Sequence, residues 1–209
     1  MTSRLISFEG IDGSGKSTQI NLLSEWMTEK NIEFQIVREP GGTSISERIR
    51  EILLDKKNLH LNHESESFLF LSARAQLVNE VIRPALKSGK FVICDRFIDS
   101  TLAYQGYGRG LDLTQLEAMN SFAIGECIPS QTFLLDVDIE SSIQRRSGTE
   151  DDRMESVGIE FLRKVREGYV QLSIQFSNRI ILLDSTENKG SIFNKIKAQM
   201  CNIYGELNE

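Results

Sequence analysis

The clearest chemistry lies near the start of the chain, where Gly10-Ile11-Asp12-Gly13-Ser14-Gly15-Lys16-Ser17 fits the pattern G-x-x-x-x-G-K-[ST] at every fixed position. Glycines let the backbone curl so that successive N–H groups point inward and form a concave anion site. A helix opening at the same place adds its positive end. Lys16 brings a mobile charge to the β- and γ-phosphates of a nucleoside triphosphate, and the Ser17 hydroxyl, with Thr18 beside it, can ligate Mg²⁺. A second group stands at Asp95 and Arg96, directly after the apolar run Phe91-Val92-Ile93-Cys94. A carboxylate there can order Mg²⁺ and an arginine can hold a phosphate. Asp12 is the exception: a carboxylate inside a phosphate loop repels phosphate, and composition gives no reason for it.

These groups need elements to aim them. Five short segments rich in branched and aromatic residues read as strands: Leu5–Glu9, Phe34–Arg38, Phe91–Asp95, Thr132–Val137 and Arg179–Leu183. Between them, Ile20, Leu23, Trp26 and Met27 recur at helical spacing, as do Leu116, Met119, Phe122 and Ala123. Ser44-x-x-Glu47 and Thr114-x-x-Glu117 fit the capping box and predict two helix starts. Strand–helix alternation implies an α/β fold in which a parallel sheet is covered by helices on both faces. Ligands bind such sheets beyond the carboxyl ends of the strands, so Asp95 should face the same crevice as the phosphate loop.

The 209 residues suit one domain spanning 1–209, and no apolar run approaches the roughly 18 residues of a membrane helix. Glu9 follows Arg4 so early that a secretory leader is not expected. Cys94, Cys127 and Cys201 are odd in number and far apart, forming neither a disulfide framework nor a metal cluster, so a cytoplasmic protein is expected. The net charge of −6 argues against a nucleic-acid binder, though a small phosphate ligand needs only local cations. His60 and His63 lie in a polar connector and read as solvated surface.

Three blocks now stand in order: Phe8-Glu9-Gly10-Ile11-Asp12-Gly13-Ser14-Gly15-Lys16-Ser17-Thr18, then Arg38-Glu39-Pro40-Gly41-Gly42-Thr43, then Asp95-Arg96-Phe97-Ile98-Asp99-Ser100-Thr101-Leu102-Ala103-Tyr104-Gln105-Gly106. Together they closely resemble the bacterial thymidylate kinases, from the first strand to a charged loop near residue 150. The last fifty residues carry no motif of this kind. The resemblance implies a three-layer P-loop NTPase fold with a five-stranded parallel sheet and a short mobile lid. It implies transfer of the ATP γ-phosphoryl group to thymidine monophosphate (dTMP), with Mg²⁺, in a homodimer. It further implies that Phe70 stacks on thymine while Arg74, four residues on and on the same helical face, reaches a carbonyl of its edge. Ser100, Thr101 and Gln105 would serve the acceptor, and Tyr104 would stand beside the sugar and exclude a 2′-hydroxyl. Arg38 and Arg96 would handle the acceptor phosphate, with Glu39 beginning the loop beside it and Arg48 a weaker candidate, and Asp12 would lie near the acceptor's sugar and phosphate. Read alone, Phe70 is a core residue and Tyr104 a wedge between helices.

Some members of that family carry an arginine in the phosphate loop where this chain has Gly13, and the family pattern then places the compensating arginine in the lid. Arg145, Arg146 and Arg153 are the candidates, in a charged segment at about 145–155 between two helices. The residues do not choose among them. Two other functions compete. A kinase for another nucleoside or monophosphate would keep the loop but change the base pocket, against which Phe70, Arg74 and Tyr104 speak. A guanine-nucleotide switch needs Asn-Lys-x-Asp, which neither Asn188-Lys189-Gly190-Ser191 nor Asn194-Lys195-Ile196-Lys197 supplies.

Overall fold

A computed structural model describes residues 3–147 and 152–208. Five strands form one parallel sheet: β1 (Leu5–Glu9), β2 (Phe34–Arg38), β3 (Phe91–Asp95), β4 (Gln131–Asp136) and β5 (Ile180–Asp184), in the order β2-β3-β1-β4-β5. The first three match expectation. The last two are displaced by one residue in opposite directions: β4 begins at Gln131, and β5 begins at Ile180 because Arg179 lies in the preceding turn, where its carbonyl still accepts from Thr132 N–H at 2.7 Å.

Alternate side chains feed two cores, as a parallel sheet buried on both faces requires. Ile6, Phe8, Ile93, Phe133 and Leu135 meet α1 (Lys16–Glu29) and α9 (Lys189–Ile203) through Leu23, Trp26, Met27, Ile196 and Met200. Leu5, Val92, Cys94 and Leu134 face the other way. That side is covered by α3 (His63–Leu77), α4 (Arg83–Lys87), α5 (Ile98–Thr101), α6 (Leu113–Ile124) and α8 (Ile159–Gln175). α2 (Ser44–Leu54) packs on α3, and α7 (Ile139–Arg145) leads toward the charged segment. Two wide-turned π-helical stretches, Val78–Ile82 and Leu102–Gly108, extend α3 and α5.

Both capping boxes need correction. Thr43, not Ser44, caps α2 by accepting from Ser46 N–H at 3.1 Å, and Glu47 instead accepts from Gly42 N–H at 2.7 Å. Asp112, not Thr114, caps α6 through Gln115 N–H at 2.8 Å. The face expected of α6 is also only partly right. Leu116 and Ala123 are buried, but Phe122 is 94% exposed. His63 opens α3 rather than lying in the connector, and is exposed. The three cysteines form no disulfide among the described residues, and no described helix is long and apolar enough to cross a membrane. Residues 148–151 of the expected lid lie outside the described residues.

Candidate active site

β1 and β3 end side by side, with Phe8 in register with Asp95, and β2 ends at Arg38 opposite Asp95. The chain segments that leave these strands therefore converge on one crevice. From β1 comes the phosphate loop. α1 opens at Lys16 directly after Gly15, without a side-chain cap, so its first-turn N–H groups are left for an anion. The Lys16 ammonium is buried and donates to the carbonyls of Gly10 at 3.0 Å and Ile11 at 3.1 Å. Burial, with Arg96 nearby, pushes its pKa down. Ser17, Asp95, Gly13, Gly15, Thr18 and Arg38 line the cavity in front of this loop. Ile11 and Ser14 are buried behind it, Ser14 tied by its carbonyl to the Ser185 hydroxyl.

A second cavity opens on the other side of Asp12 and Arg96, and these two residues line both. Arg96 adopts a left-handed backbone at φ 69°, unusual for an arginine. Its guanidinium donates to the Gly10 carbonyl at 2.9 Å and to Asp12 at 2.7 Å. This accounts for the carboxylate in the phosphate loop. Burial opposes the charge of Asp12, but Arg96 and Lys16 outweigh it and hold the carboxyl well below the usual range.

The second cavity is walled by Phe70 from α3 and by Tyr104 and Gln105 from the Leu102–Gly108 π-helical stretch. Phe70 is half-buried: it packs against the core that includes Leu102 and Tyr104 and also lines this cavity. Tyr104 is buried, its hydroxyl has no partner among the described residues, and its ring lies under the Arg96 guanidinium at 5.2 Å. Burial raises the pKa of this phenol. Ser100 and Thr101 line the same space. Arg74 does too, yet all five of its N–H groups are engaged. They donate to Glu39 (2.8 Å at Nε), Thr101 (2.7 Å), Asn120 and the Phe97 carbonyl (3.0 Å). A base carbonyl at Arg74 must share one of these. Glu39 is equally buried and lines both cavities; burial raises its pKa, against the pull of Arg74. Arg38 is half exposed and pairs with Glu47 at 3.0 Å.

The three arginines of the charged segment separate. Arg145 lines the phosphate cavity, donating to the carbonyls of Gly13 at 3.3 Å and Ser185 at 2.8 Å. Arg146, at the end of α7, lies against the loop near Gly13 and Asp12. Arg153 lines neither cavity. It is buried, pairs with Glu66 at 2.7 Å and donates to the Leu53 carbonyl at 2.6 Å. The cause is Glu66 itself, a fully buried carboxylate that draws in Arg109 and Arg153 together.

Sequence reasoning missed three groups. Arg50 lines both cavities and donates to the Pro40 carbonyl at 2.9 Å, whereas Arg48 is exposed and lines neither. Helical phase could have found it: Arg50 shares a face with buried Ser46 and Leu53, while Arg48 is turned about 200° away. Glu9 and Tyr169 are the others, and neither sits in a motif that announces a role for its side chain.

A phosphate loop and a second cation-lined cavity, joined through Asp12 and Arg96, define a P-loop phosphotransferase that delivers phosphate to another bound molecule. Residues 8–196 match the thymidylate kinase family model. The chain is 47% identical to the thymidylate kinase of Caldanaerobacter subterraneus subsp. tengcongensis, covering 90% of this chain and 89% of that one. It is 46% identical to that of Chlorobaculum tepidum, covering 92% and 94%. The crystal structure of the Ehrlichia chaffeensis thymidylate kinase superposes with a TM-score of 0.76 at 34% identity, covering 94% of this chain and 97% of that one. This chain belongs to the thymidylate kinase family, and its activity is transfer of phosphate from ATP to dTMP.

Proposed function

We propose that the loop at residues 10–18, with Arg145 at its outer side, holds the ATP phosphates, and that the second cavity holds dTMP. The observation that carries this is the position of Asp12 and Arg96 on the boundary, lining both cavities. Phe70 gives the thymine a face to stack on, and Gln105 and Thr101 stand where its edge falls. Arg74 acts by fixing Thr101 and Glu39. Tyr104 closes the sugar end. Arg96, Arg38 and Arg50 draw in the acceptor phosphate, whose oxygen is already anionic at neutral pH because its second pKa is about 6. No catalytic base is therefore required. Positioning and charge stabilisation of the moving phosphoryl group by Lys16, Arg96 and the α7 arginines Arg145 and Arg146 do the work.

Among the described residues no cluster of three acidic, histidine or cysteine side chains could hold a metal by itself. That suits Mg²⁺ at this site, since Mg²⁺ keeps several waters and binds through one or two protein groups plus substrate phosphates. Ser17 and Asp95, which line the same cavity, would hold it, and it would neutralise charge on the phosphates. Residues 1–209 form one kinase domain in which the segment at about 145–155 acts as a lid that excludes water from ATP. The enzyme works as a cytoplasmic homodimer. Exposed Phe122 on α6, Phe68 on α3 and Ile45 and Ile52 on α2 support a second copy covering these packed helices. No partner role for nucleic acid or membrane is assigned.

The test is ADP release measured across deoxythymidine, uridine and cytidine monophosphates. Turnover should require an added monophosphate, favour dTMP, and fall by several orders of magnitude in Lys16→Met. Activity retained in that variant overturns the site assignment.

A further inference from the structure

Glu9 is the last residue of β1, one step before the phosphate loop, and its side chain is fully buried. Its carboxylate gathers donors from two distant elements. Oε1 accepts from the backbone N–H of Phe97 at 2.7 Å, and Oε2 accepts from the Ser100 hydroxyl at 2.6 Å and the Tyr169 hydroxyl at 2.9 Å. Phe97 is the residue immediately after Arg96, and Tyr169 comes from the middle of α8. Tyr169 is itself buried, 2.8 Å from the Ser100 hydroxyl, and accepts from Arg96 Nη1 at 3.3 Å.

Arg96 needs such support. Its left-handed backbone is unfavourable for a residue with a Cβ, so something must hold it. One hold is the Arg96 N–H, which donates to the Phe8 carbonyl at 2.9 Å. The next peptide N–H, of Phe97, goes to Glu9. The side chain is steered at its far end by Gly10, Asp12 and Tyr169. A carboxylate in the core is costly, and three converging donors are what make one tolerable there. An apolar residue would fill the space at less cost, but it could accept from none of them.

We infer that Glu9 is a positioning residue for phosphoryl transfer: with Tyr169 it fixes the backbone and guanidinium of Arg96, and so links the phosphate loop, the acceptor cavity and helix α8. This rests on the reading of Arg96 as the cation shared by the two substrates. Glu9 touches neither cavity and acts only through Arg96 and its neighbours. Tyr169 makes α8 part of the site, although the last fifty residues hold none of the motifs that mark it.

Glu9→Gln keeps the acceptor for Phe97 N–H but replaces the oxygen facing the two hydroxyls with an amino group. Its kcat should fall by about 10- to 100-fold, the size of effect expected when a reacting group is misplaced by up to about 1 Å. The ATP KM should stay within about twofold, because the loop glycines and Lys16 are untouched. The deciding measurement is the same substitution in an Arg96→Ala background, where it should cost less than about twofold, since its target is gone. A merely structural Glu9 would cost the same in both backgrounds, and that result overturns the inference while leaving the role of Arg96 intact. Full activity in Arg96→Ala alone overturns both. If Glu9→Gln does not fold, Tyr169→Phe decides. A loss of kcat of about threefold or more that vanishes with Arg96→Ala supports the link, and unchanged kcat refutes it.

Discussion

The packing of Gly13 allows a sharp test of how the phosphate loop and α7 depend on one another. Gly13 sits at φ 76°, and a Cβ added there would lie 2.6 Å from the Ser142 carbonyl oxygen and 3.2 Å from Ser142 Cα, both backbone atoms of α7. The left-handed backbone alone costs an alanine about 1–2 kcal/mol. Relieving the overlap requires α7 to retreat, and over-packing of this kind adds about 1–3 kcal/mol. The total for Gly13→Ala is about 2–5 kcal/mol, which for a chain of this size lowers Tm by about 4–20 °C. Gly15→Ala separates the two terms: Gly15 has φ 96° but nothing within 4 Å of its Cβ position, so it bears the backbone term alone. Its loss should be about 2–8 °C. Both are read by calorimetry without nucleotide. Activity should suffer more than stability in Gly13→Ala. α7 carries Arg145 on its last turn and is capped by Arg146, and its Ser142 hydroxyl donates to the Asp12 carbonyl at 2.6 Å. Displacing the helix by a fraction of an ångström withdraws those cations, and kcat should drop by about 10²-fold. Equal Tm losses in the two variants, or wild-type kcat in Gly13→Ala, would refute the reasoning.

Phe70→Ala should raise the dTMP KM by about 5- to 150-fold, because a stacked base is worth about 1–3 kcal/mol, while the ATP KM stays unchanged; equal weakening of both substrates in steady-state kinetics would make Phe70 structural. Glu9 supplies a pH signature of stability. Burial, and then the charge of nearby Asp99, push its carboxyl from 4.5 up to about 7. A raised carboxyl contributes stability that is fully present below its unfolded value of 4.5 and is lost as pH rises through about 7. The shift corresponds to roughly 3 kcal/mol. Measured against wild type, Glu9→Gln should therefore gain several degrees in relative Tm between pH 5 and pH 8, and a difference that does not move with pH contradicts the assignment.

The sequence made the phosphate loop and all five strands legible for one reason: both are set by local rules. A glycine pattern fixes a backbone curl, and runs of branched residues fix buried strands. The two late strands were displaced by a single residue each, in opposite directions. Helix caps were less legible. Thr43 and Asp112 are as good at capping as Ser44 and Thr114, and only the path of the chain chooses between neighbours. What local rules cannot give is which charge meets which. Arg153 reads as a free lid cation until Glu66, nearly ninety residues earlier, is seen to be fully buried beside it. Phe122 reads as core from its spacing because periodicity counts apolar residues without knowing what lies opposite. Tyr169 was invisible because its partner Glu9 is 160 residues away.

The charges also explain how an acidic chain can hold two anions. Glu39, Glu66 and Asp12 are paired with cations before any substrate arrives, and the match is uneven. Glu39 has Arg74 alone, and burial still raises its pKa. Glu66 has Arg109 and Arg153 with Gln105 besides, and these overcome burial to lower its pKa. Asp12 sits on the side where cations win, between Arg96 and Lys16. It holds two positive groups close together at the boundary of the cavities, where their mutual repulsion would otherwise spread them. An incoming phosphate can then take over part of that pairing without any cation having to be gathered from solvent. Arg96 and Lys16 need little reorganisation at the moment of transfer, which is the condition under which fixed charges lower a barrier most. The carboxylate that composition could not justify is, on this argument, what keeps the cations in place while the site waits for substrate.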